Sequence, residues 1–476
     1  MWNRPIRIGP KPPPSDVAGS RVAIVSRAPE RRAGRAGVDL GREGAQRMKF
    51  ARLLREPAGH ALGLMALRSI TIAAKFALTL FIARYLGLAD LGFYGIIASL
   101  AALGPVLLGF GVANNLGREA ARRGPSCITL PMLQYCLFLI PAYAALCAVS
   151  IGVWPEKMHW IFILAALLLL EQFQTDMFSL MSITGSAYEA NVIYFTRFAG
   201  WSLIYVPLAL LHPDFRNLTA VLLFWLAGCV VASVLAICFT RKWRWGVAIR
   251  ALPRSRIRMP HHHGSMALYV GDIANTSFQY FDRYIVGMFL NPTILGVYVL
   301  YWSITNALSN LVGISIVQVR SGQLVKMAHD SRRGFNHSLR RVSLASSSIA
   351  LGLGLLATLM MYIVVPHLGR PEADRYLPLM FILCVALSLR TLYEILGISF
   401  YAHGRDDLIL YSVIGVLVVA LALNLSLDPW IGIWGAGSAL VASYAVGCVA
   451  RALIIFRGFR FDAPRREAIG GARTPG

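Results

Sequence analysis

The sequence predicts an all-α polytopic membrane protein, with about twelve transmembrane helices in two pseudo-symmetric six-helix halves around a central cavity. Three observations predict this fold. Of the 476 residues, 57% are hydrophobic and only 14% are charged, whereas soluble domains carry about 25% charged residues. Apolar segments long enough to cross a bilayer as helices follow one another from residue 63 onward. A polar-faced helix and the turn that follows it recur half a chain apart.

The apolar segments divide into two sets of six. The predicted spans are 63–86, 92–113, 130–153, 158–181, 190–211, 218–240, 265–289, 294–317, 342–365, 375–401, 408–427 and 431–456. With the N-terminus inside, the inner loops and the C-terminal tail carry 22 Lys and Arg residues, and the outer loops carry 4. This asymmetry obeys the positive-inside rule, so we predict that both termini are cytoplasmic.

Basic segments flank and separate the two halves. We expect a disordered cytoplasmic tail at 1–59, an N-terminal six-helix bundle at 60–240, a cytoplasmic linker at 241–264, a C-terminal six-helix bundle at 265–456 and a cytoplasmic tail at 457–476. An alternative for the first segment is that translation starts at Met48. The net charge of +23 would indicate nucleic acid in a soluble protein. Because it lies in loops and tails here, we expect contact with membrane lipids and no nucleic-acid partner.

The chain lacks the motifs of several enzyme classes. It has no G-x-x-x-x-G-K-[ST] run for a nucleotide. Its seven cysteines have no metal or redox spacing. We therefore predict no catalytic residue, no cofactor and no metal, and a protein that is not an enzyme.

The helix predicted at 265–289 carries one polar stripe. Its members fall on one face of an α-helix: Asp272, Asn275, Thr276, Gln279, Asp282 and Arg283. A charge at the bilayer centre costs about 2.5–3.5 kcal/mol unless it faces protein or water. We therefore predict that this helix lines a polar cavity. Asp272 or Asp282 is a candidate to carry a coupling proton or cation, and the alternative is that each balances an arginine.

A shift of 204 positions relates this region to the first span. It places Leu290, Leu295, Gly296 and Tyr298 on Leu86, Leu91, Gly92 and Tyr94, so that L-x4-L-G-x-Y stands at the turn between two spans in both copies. The same shift places Asp272 on Arg68 and Gln279 on Lys75. The match indicates an internal duplication, and transporters built from two repeats often bind substrate between them.

Cationic side chains occur at depth in the membrane. Lys75 sits near the middle of the first span, and Arg68 lies seven residues before it on the same face. A cationic stripe at this depth indicates an anionic ligand. Arg390 and Glu394 are four residues apart on one helix, which favours an internal ion pair over direct substrate contact.

Polar residues of the fourth, fifth and eighth spans allow two interpretations. Tyr298 and Asn306 belong to a dense set of aromatic and amide residues in the eighth span. Such a set fits either a sugar-binding surface or helix packing. In the fourth span, Glu171 or Asp176 is a candidate partner for Arg197 of the fifth.

Two stretches at the start of each half resemble a known family. Residues 75–95 read KFALTLFIARYLGLADLGFYG, and residues 281–298 read FDRYIVGMFLNPTILGVY. They resemble the polysaccharide (O-antigen type) flippases of the multidrug/oligosaccharidyl-lipid/polysaccharide exporter superfamily, and the resemblance covers nearly the whole chain after about residue 60 in span number, orientation and halves. It implies transfer of an undecaprenyl-diphosphate-linked oligosaccharide to the outer face of the bacterial inner membrane. It also implies two bundles that rock around a central cavity.

The resemblance and the residues together give a functional hypothesis. The diphosphate would meet Arg68, Lys75 and either Arg283 or Arg390, and the glycan would meet Tyr298 and Asn306. Other membrane proteins of polysaccharide assembly are candidate partners. One alternative is an ion-coupled drug or metabolite antiporter of the same superfamily. The second alternative is a membrane-embedded polysaccharide polymerase or ligase, against which the short outer loops argue.

Overall fold

A computed structural model describes residues 63–254, 265–313 and 332–456, except Met65, together with Leu324 and Met327. These residues form helices and short connections, and no strand occurs among them. The predicted all-α fold is therefore confirmed. The predicted tails at 1–59 and 457–476, the alternative start at Met48 and residues 255–264 of the linker lie outside the described residues.

The helices of the first half are joined by short turns. They are α1 (Ala66–Leu86), α2 (Leu88–Leu108), α3 (Val112–Arg123), α4 (Thr129–Val153), α5 (Met158–Ile183), α6 (Ala187–Leu211), α7 (Leu218–Phe239) and, in the predicted linker, α8 (Trp245–Ala251). Short 3₁₀ turns start with proline at Pro125, Pro155 and Pro213. Asn217 then caps α7, since its side-chain oxygen accepts from the N–H of Ala220 at 2.8 Å.

The helices of the second half follow the same plan. They are α9 (Ser265–Tyr280), α10 (Asp282–Phe289), α11 (Pro292–Val312), α12 (Arg332–Val364), α13 (Pro371–Arg375), α14 (Leu379–Ala402), α15 (Asp406–Ile431) and α16 (Ile433–Phe456). Asn291 caps α11 by accepting from the N–H of Ile294 at 2.8 Å, and Pro292 takes the first helical position. An Asn-Pro pair favours such a helix start, because Pro has no N–H to leave unsatisfied there.

Ten helices among the described residues are long and apolar enough to cross a membrane. They correspond to ten of the twelve predicted spans. The predicted spans 265–289 and 294–317 are helical over their described residues except Phe281, but neither is among these ten helices. The first of them is interrupted at Phe281, between α9 and α10. The second, α11, carries several amide and hydroxyl side chains that lower its hydropathy.

One helix organises the packing of each half. In the first half α5 contacts α2, α3, α4, α6 and α7. In the second half α14 contacts α11, α12 and α16, and α15 packs on α16 and α9. Between the halves α2 packs along α11 and also touches α9 and α10. The cavity described below lies beside this contact between α2 and α11.

The repeated L-G-x-Y motif lies where α2 crosses α11. A Cβ added to Gly92 would lie 2.6 Å from the carbonyl oxygen of Pro292, and one added to Gly296 would overlap the carbonyl oxygen of Leu88. These two contacts are equivalent, since the shift of 204 positions maps Leu88 onto Pro292 and Gly92 onto Gly296. The glycine recurs in both copies because only a residue without a side chain lets the two backbones approach this closely.

A second contact between the halves lies near this crossing. Arg370, just before α13, donates from Nε to the carbonyl oxygen of Ala83 at 3.1 Å and from Nη2 to that of Arg84 at 3.0 Å. These carbonyls belong to the last turn of α1, where helix carbonyls lack partners within the helix. The loop of the second half thus caps the first helix of the first half.

Candidate functional site

A cavity of about 620 Å³ lies between the two halves. Helices α1, α2, α5, α6 and α7 form one wall, and α9, α10, α11 and α14 form the other. Among its described lining residues, seven are charged: Arg68, Lys75, Glu171, Arg197, Arg283, Arg390 and Glu394. Five cations face two carboxylates, so the wall carries a net positive charge. An excess of one sign inside a low-dielectric cleft attracts ligands of the opposite sign.

One cation of the first half is neutralised inside the wall. Arg197 on α6 forms an ion pair with Glu171 on α5, and both side chains are buried. The indole Nε1 of Trp225 donates to Glu171 Oε1 at 2.9 Å. The predicted pairing of Arg197 with an acid of the fourth span is therefore confirmed for Glu171. Asp176, the other candidate, accepts instead from Gln172 Nε2 at 2.9 Å.

Lys75 faces the cavity without an ion pair among the described residues, and Glu171 lies within electrostatic range of it. Its Nζ lies 4.0 Å from the centroid of the Phe198 ring, and no described residue forms a hydrogen bond or ion pair with it. About two helical turns nearer the helix start, Arg68 donates from Nε to Asn191 Oδ1 at 2.9 Å. The two cations predicted on one face of the first span therefore line the same cavity wall.

Arg283 extends from the second half toward the first. Its Nη1 donates to the hydroxyl of Ser99 on α2. Its guanidinium carbon lies 3.5 Å from the centroid of the Trp302 ring and 4.9 Å from that of Tyr280. Nε and Nη2 have no hydrogen-bond partner among the described residues. A buried guanidinium with two unused donors is costly unless a ligand supplies acceptors.

Arg390 differs from Lys75 and Arg283 because its donors are occupied. Nε contacts Glu394 Oε1 at 3.0 Å, Nη1 contacts Asn306 Oδ1 at 3.2 Å, and Nη2 contacts Gln279 Oε1 at 3.1 Å. The predicted ion pair between Arg390 and Glu394 is confirmed. Asn306, predicted to contact substrate, lines the cavity beside this group.

Three other predicted site residues lie off the cavity wall. Tyr298 is fully buried and donates to Asp282 Oδ2 at 2.5 Å, so the structure does not offer its hydroxyl to a ligand in the cavity. Asp282 is buried beside it. Asp272 accepts from Asn114 Nδ2 at 3.1 Å at an exposed position, and it does not pair with its repeat mate Arg68.

The predicted stripe divides between Asp282 and Arg283. In a helix of 3.6 residues per turn, Arg283 lies about 20° from Asp272 and Asp282 lies about 80° from it, so the two residues occupy different edges of a wide stripe. Phe281 keeps helical dihedral angles (φ −73°, ψ −23°), and the side chain of Asp282 is buried in the bundle. Arg283 reaches the cavity instead.

Sequence reasoning missed one buried acid. Both carboxylate oxygens of Asp428 on α15 are buried and have no hydrogen-bond partner among the described residues. The side-chain oxygen of Asn424 is in the same situation. Asp428 lies within electrostatic range of Asp282. The predicted eleventh span ended at residue 427, one position too early to include Asp428 as an intramembrane charge. Its position at the end of a long apolar run was the available signal.

Comparisons with known proteins agree with this architecture. A family model described as polysaccharide biosynthesis protein matches residues 81–368. A search of the curated proteins found no match.

Three solved structures share the fold at low sequence identity. The structure of the lipid II flippase MurJ in an inward closed conformation has a TM-score of 0.65 at 11% identity, over 83% of this chain and 87% of that one. An inward-facing multidrug resistance transporter of the MATE family has a TM-score of 0.59 at 13% identity, over 83% and 98%. A MOP superfamily transporter from Pyrococcus furiosus, which is reported to have a binding pocket of reverse polarity, has a TM-score of 0.51 at 14% identity, over 83% of this chain and 95% of that one.

The family match covers more than half of the chain, and ten described helices are long and apolar enough to cross a membrane. The chain therefore belongs to the polysaccharide biosynthesis protein family, and it is a multi-pass membrane protein with the fold of the solved flippase and transporters.

Proposed function

We propose that this protein transfers a diphosphate-linked oligosaccharide on a polyprenyl carrier from the cytoplasmic to the outer face of the bacterial inner membrane. It acts as a transporter and not as an enzyme, and both of its termini are cytoplasmic. The observation that carries the proposal is the set of unused cationic donors in the cavity. Lys75 comes from the first half and Arg283 from the second, and neither forms an ion pair among the described residues, although Glu171 lies within electrostatic range of Lys75 and Asp282 within that of Arg283.

A diphosphate matches these donors in charge and geometry. Arginine presents its N–H groups in a planar fork that binds phosphate oxygens, and lysine adds a compact point charge. Arg68, whose Nε alone has a described acceptor, extends the same wall. Because the cations belong to both halves, a bound diphosphate would join the halves across the cavity.

The antiporter alternative fits the cavity less well. A cationic drug would meet a wall with a net positive charge and would be repelled. The lipid-linked anion would be attracted, and the net charge of the wall offsets part of the cost of moving two phosphate charges through the bilayer.

A reconstituted assay separates these functions. The full-length protein in liposomes should move a fluorescent short-chain prenyl-diphosphate oligosaccharide between leaflets, measured as the fraction of dye that a membrane-impermeant quencher reaches. A cationic dye in the same liposomes should stay where it was placed. Transport of the dye without transport of the lipid-linked sugar would favour the antiporter and contradict the proposal.

We further propose that transport is coupled to a proton or small cation at Asp282 and Asp428. Asp282 accepts from Tyr298, whereas the carboxylate of Asp428 is buried without a hydrogen bond among the described residues, which is costly in the ionised form unless a proton or cation occupies it. Asn424 lies one turn before Asp428 on the same face, and its free oxygen adds an acceptor of the type that hard cations prefer. This site lies in the second half beside Tyr298, next to the helix that carries Arg283.

The Asp428→Asn variant tests the coupling. In liposomes with an imposed proton or sodium gradient, we expect the wild-type transport rate to rise with the gradient and the variant rate to be independent of it. Asp214→Asn, a change in an exposed outer loop, is the matched control. Asp272→Asn tests the other predicted position. If the transport rate of Asp428→Asn still rises with the gradient, coupling at Asp428 is contradicted. The same holds if only Asp272→Asn loses this dependence.

A further inference from the structure

A small recess adjoins the main cavity on the side of the second half. Its volume is about 30 Å³, and it shares Trp302, Asn306, Ser309 and Arg390 with the main cavity. Gln279 lines only the recess. A space of this size holds about two waters or one small substituent of a larger ligand. Its wall combines amide, hydroxyl and guanidinium groups with leucine and alanine side chains.

Arg390 fixes the orientation of two amides in this wall. A guanidinium has only donors, so the groups that face it must be the oxygens of Asn306 and Gln279. The distances of 3.2 Å and 3.1 Å agree with this orientation. The two amide NH₂ groups are then directed away from Arg390, and neither has an acceptor among the described residues. Two preoriented donors therefore remain for a ligand.

Glu394 supplies a hydrogen-bond acceptor beside the two amide donors. Its Oε1 accepts from Arg390 at 3.0 Å, and no described residue donates to its Oε2. The carboxylate lines the main cavity and is 37% exposed. Arg390 thus holds one acceptor and two donors in fixed positions. Hydroxyl-rich ligands need such a mixture, because each hydroxyl both donates and accepts.

Trp302 connects this group to the cation of the second half. The indole lines both the cavity and the recess, and the Arg283 guanidinium lies against its ring at 3.5 Å from the centroid. The indole of Trp302 therefore separates the two amides from the Arg283 donors that we assign to the diphosphate. In a sugar diphosphate, the sugar bonded to the phosphate lies directly beside it.

We infer that Asn306, Gln279 and Glu394, held in place by Arg390, form a subsite for the first sugar of the lipid-linked oligosaccharide. This inference rests on the proposed function and extends it to the glycan. The ligand class is a neutral hexose or N-acetylhexosamine. Its hydroxyl or acetamido oxygens accept from the two amides, and one of its hydroxyls donates to Glu394. Arg390 is a positioning residue in this subsite and not a ligand of the diphosphate.

Two ligands that differ only in the sugar test the subsite. The full-length protein in nanodiscs is titrated with farnesyl diphosphate and with its N-acetylglucosaminyl ester. We expect the sugar-bearing ligand to bind at least about tenfold more tightly, as two or three hydrogen bonds to neutral groups predict. Asn306→Ala and Gln279→Ala should each lower the ratio of the two affinities by about threefold to tenfold. The ratio of the two affinities within each variant carries the test, since each change also frees one Arg390 donor.

The control variant is Asn275→Ala, an exposed amide one turn before Gln279 that lines neither space. Measurable binding of farnesyl diphosphate also reports that each variant is folded. Equal wild-type affinity for the two ligands would overturn the subsite and leave the proposed function intact. Failure of either ligand to bind the wild-type protein would contradict the proposed function itself.

Discussion

We expect Arg283→Ala and Lys75→Ala each to weaken binding of the prenyl diphosphate on the order of 10- to 100-fold, since a hydrogen bond to a charged group contributes about 1.5–3 kcal/mol. Cells that carry either variant as the only copy should lose surface polysaccharide. Arg283→Lys should recover part of the function, because it keeps the charge and loses the planar fork. The measurement is the amount of surface glycan per cell at equal protein level in the membrane.

Arg84→Ala is the matched control for this pair. Arg84 is also a cation of the first span, but its side chain is exposed and does not line the cavity. Removal of its charge should leave surface glycan unchanged. Wild-type glycan in both Arg283→Ala and Lys75→Ala would contradict the assignment of the diphosphate to these residues. An equal loss in Arg84→Ala would indicate an effect of net charge and not of the cavity.

The second large effect concerns the crossing of α2 and α11. We expect Gly296→Ala to destabilise the protein, because its Cβ would overlap the Leu88 carbonyl oxygen and the two backbones would have to separate. Overpacking of this kind costs typically 1–3 kcal/mol, and contact with rigid backbone in place of a flexible side chain favours the upper end of about 3 kcal/mol. The measurement is the midpoint of thermal unfolding of the purified protein in detergent.

A glycine elsewhere in the bundle controls for the change of residue type. Gly415 lies inside α15, is exposed, and has open space where a Cβ would lie. Gly415→Ala should leave the midpoint unchanged or raise it slightly, since alanine favours a helix over glycine by about 1 kcal/mol. Gly92→Ala should lower the midpoint as Gly296→Ala does, because Gly92 makes the equivalent backbone contact in the first repeat. Equal midpoints for Gly296→Ala and Gly415→Ala would refute the close crossing.

Much of this fold follows from patterns that the sequence contains. Length and apolarity predict the spans, and the shift of 204 positions predicts that Gly92 and Gly296 are equivalent positions of a repeat. Periodicity also brings Arg68 and Lys75 to one wall. These predictions succeed because a span must satisfy its backbone internally and must turn its charges away from lipid.

Other features depend on contacts that periodicity does not contain. Asp282 lies at the edge of the predicted stripe, where it accepts a hydrogen bond from Tyr298 of a neighbouring helix. Arg390 carries the same charge as Arg283, but the acceptors around it come from three different helices. Asp428 lies one residue beyond the predicted span. In each case the outcome depends on which helices pack together, and a single sequence does not specify this.

The central claim is that the protein moves a diphosphate-linked oligosaccharide outward across the inner membrane. The most direct measurement uses a deletion strain, from which lipid-linked intermediates are extracted after labelling with a membrane-impermeant reagent. We predict that the intermediate accumulates on the cytoplasmic face and that the wild-type gene relieves this accumulation while a Lys75→Ala copy does not. Intermediates stranded on the outer face would contradict the claim, because they would place the missing step after transfer.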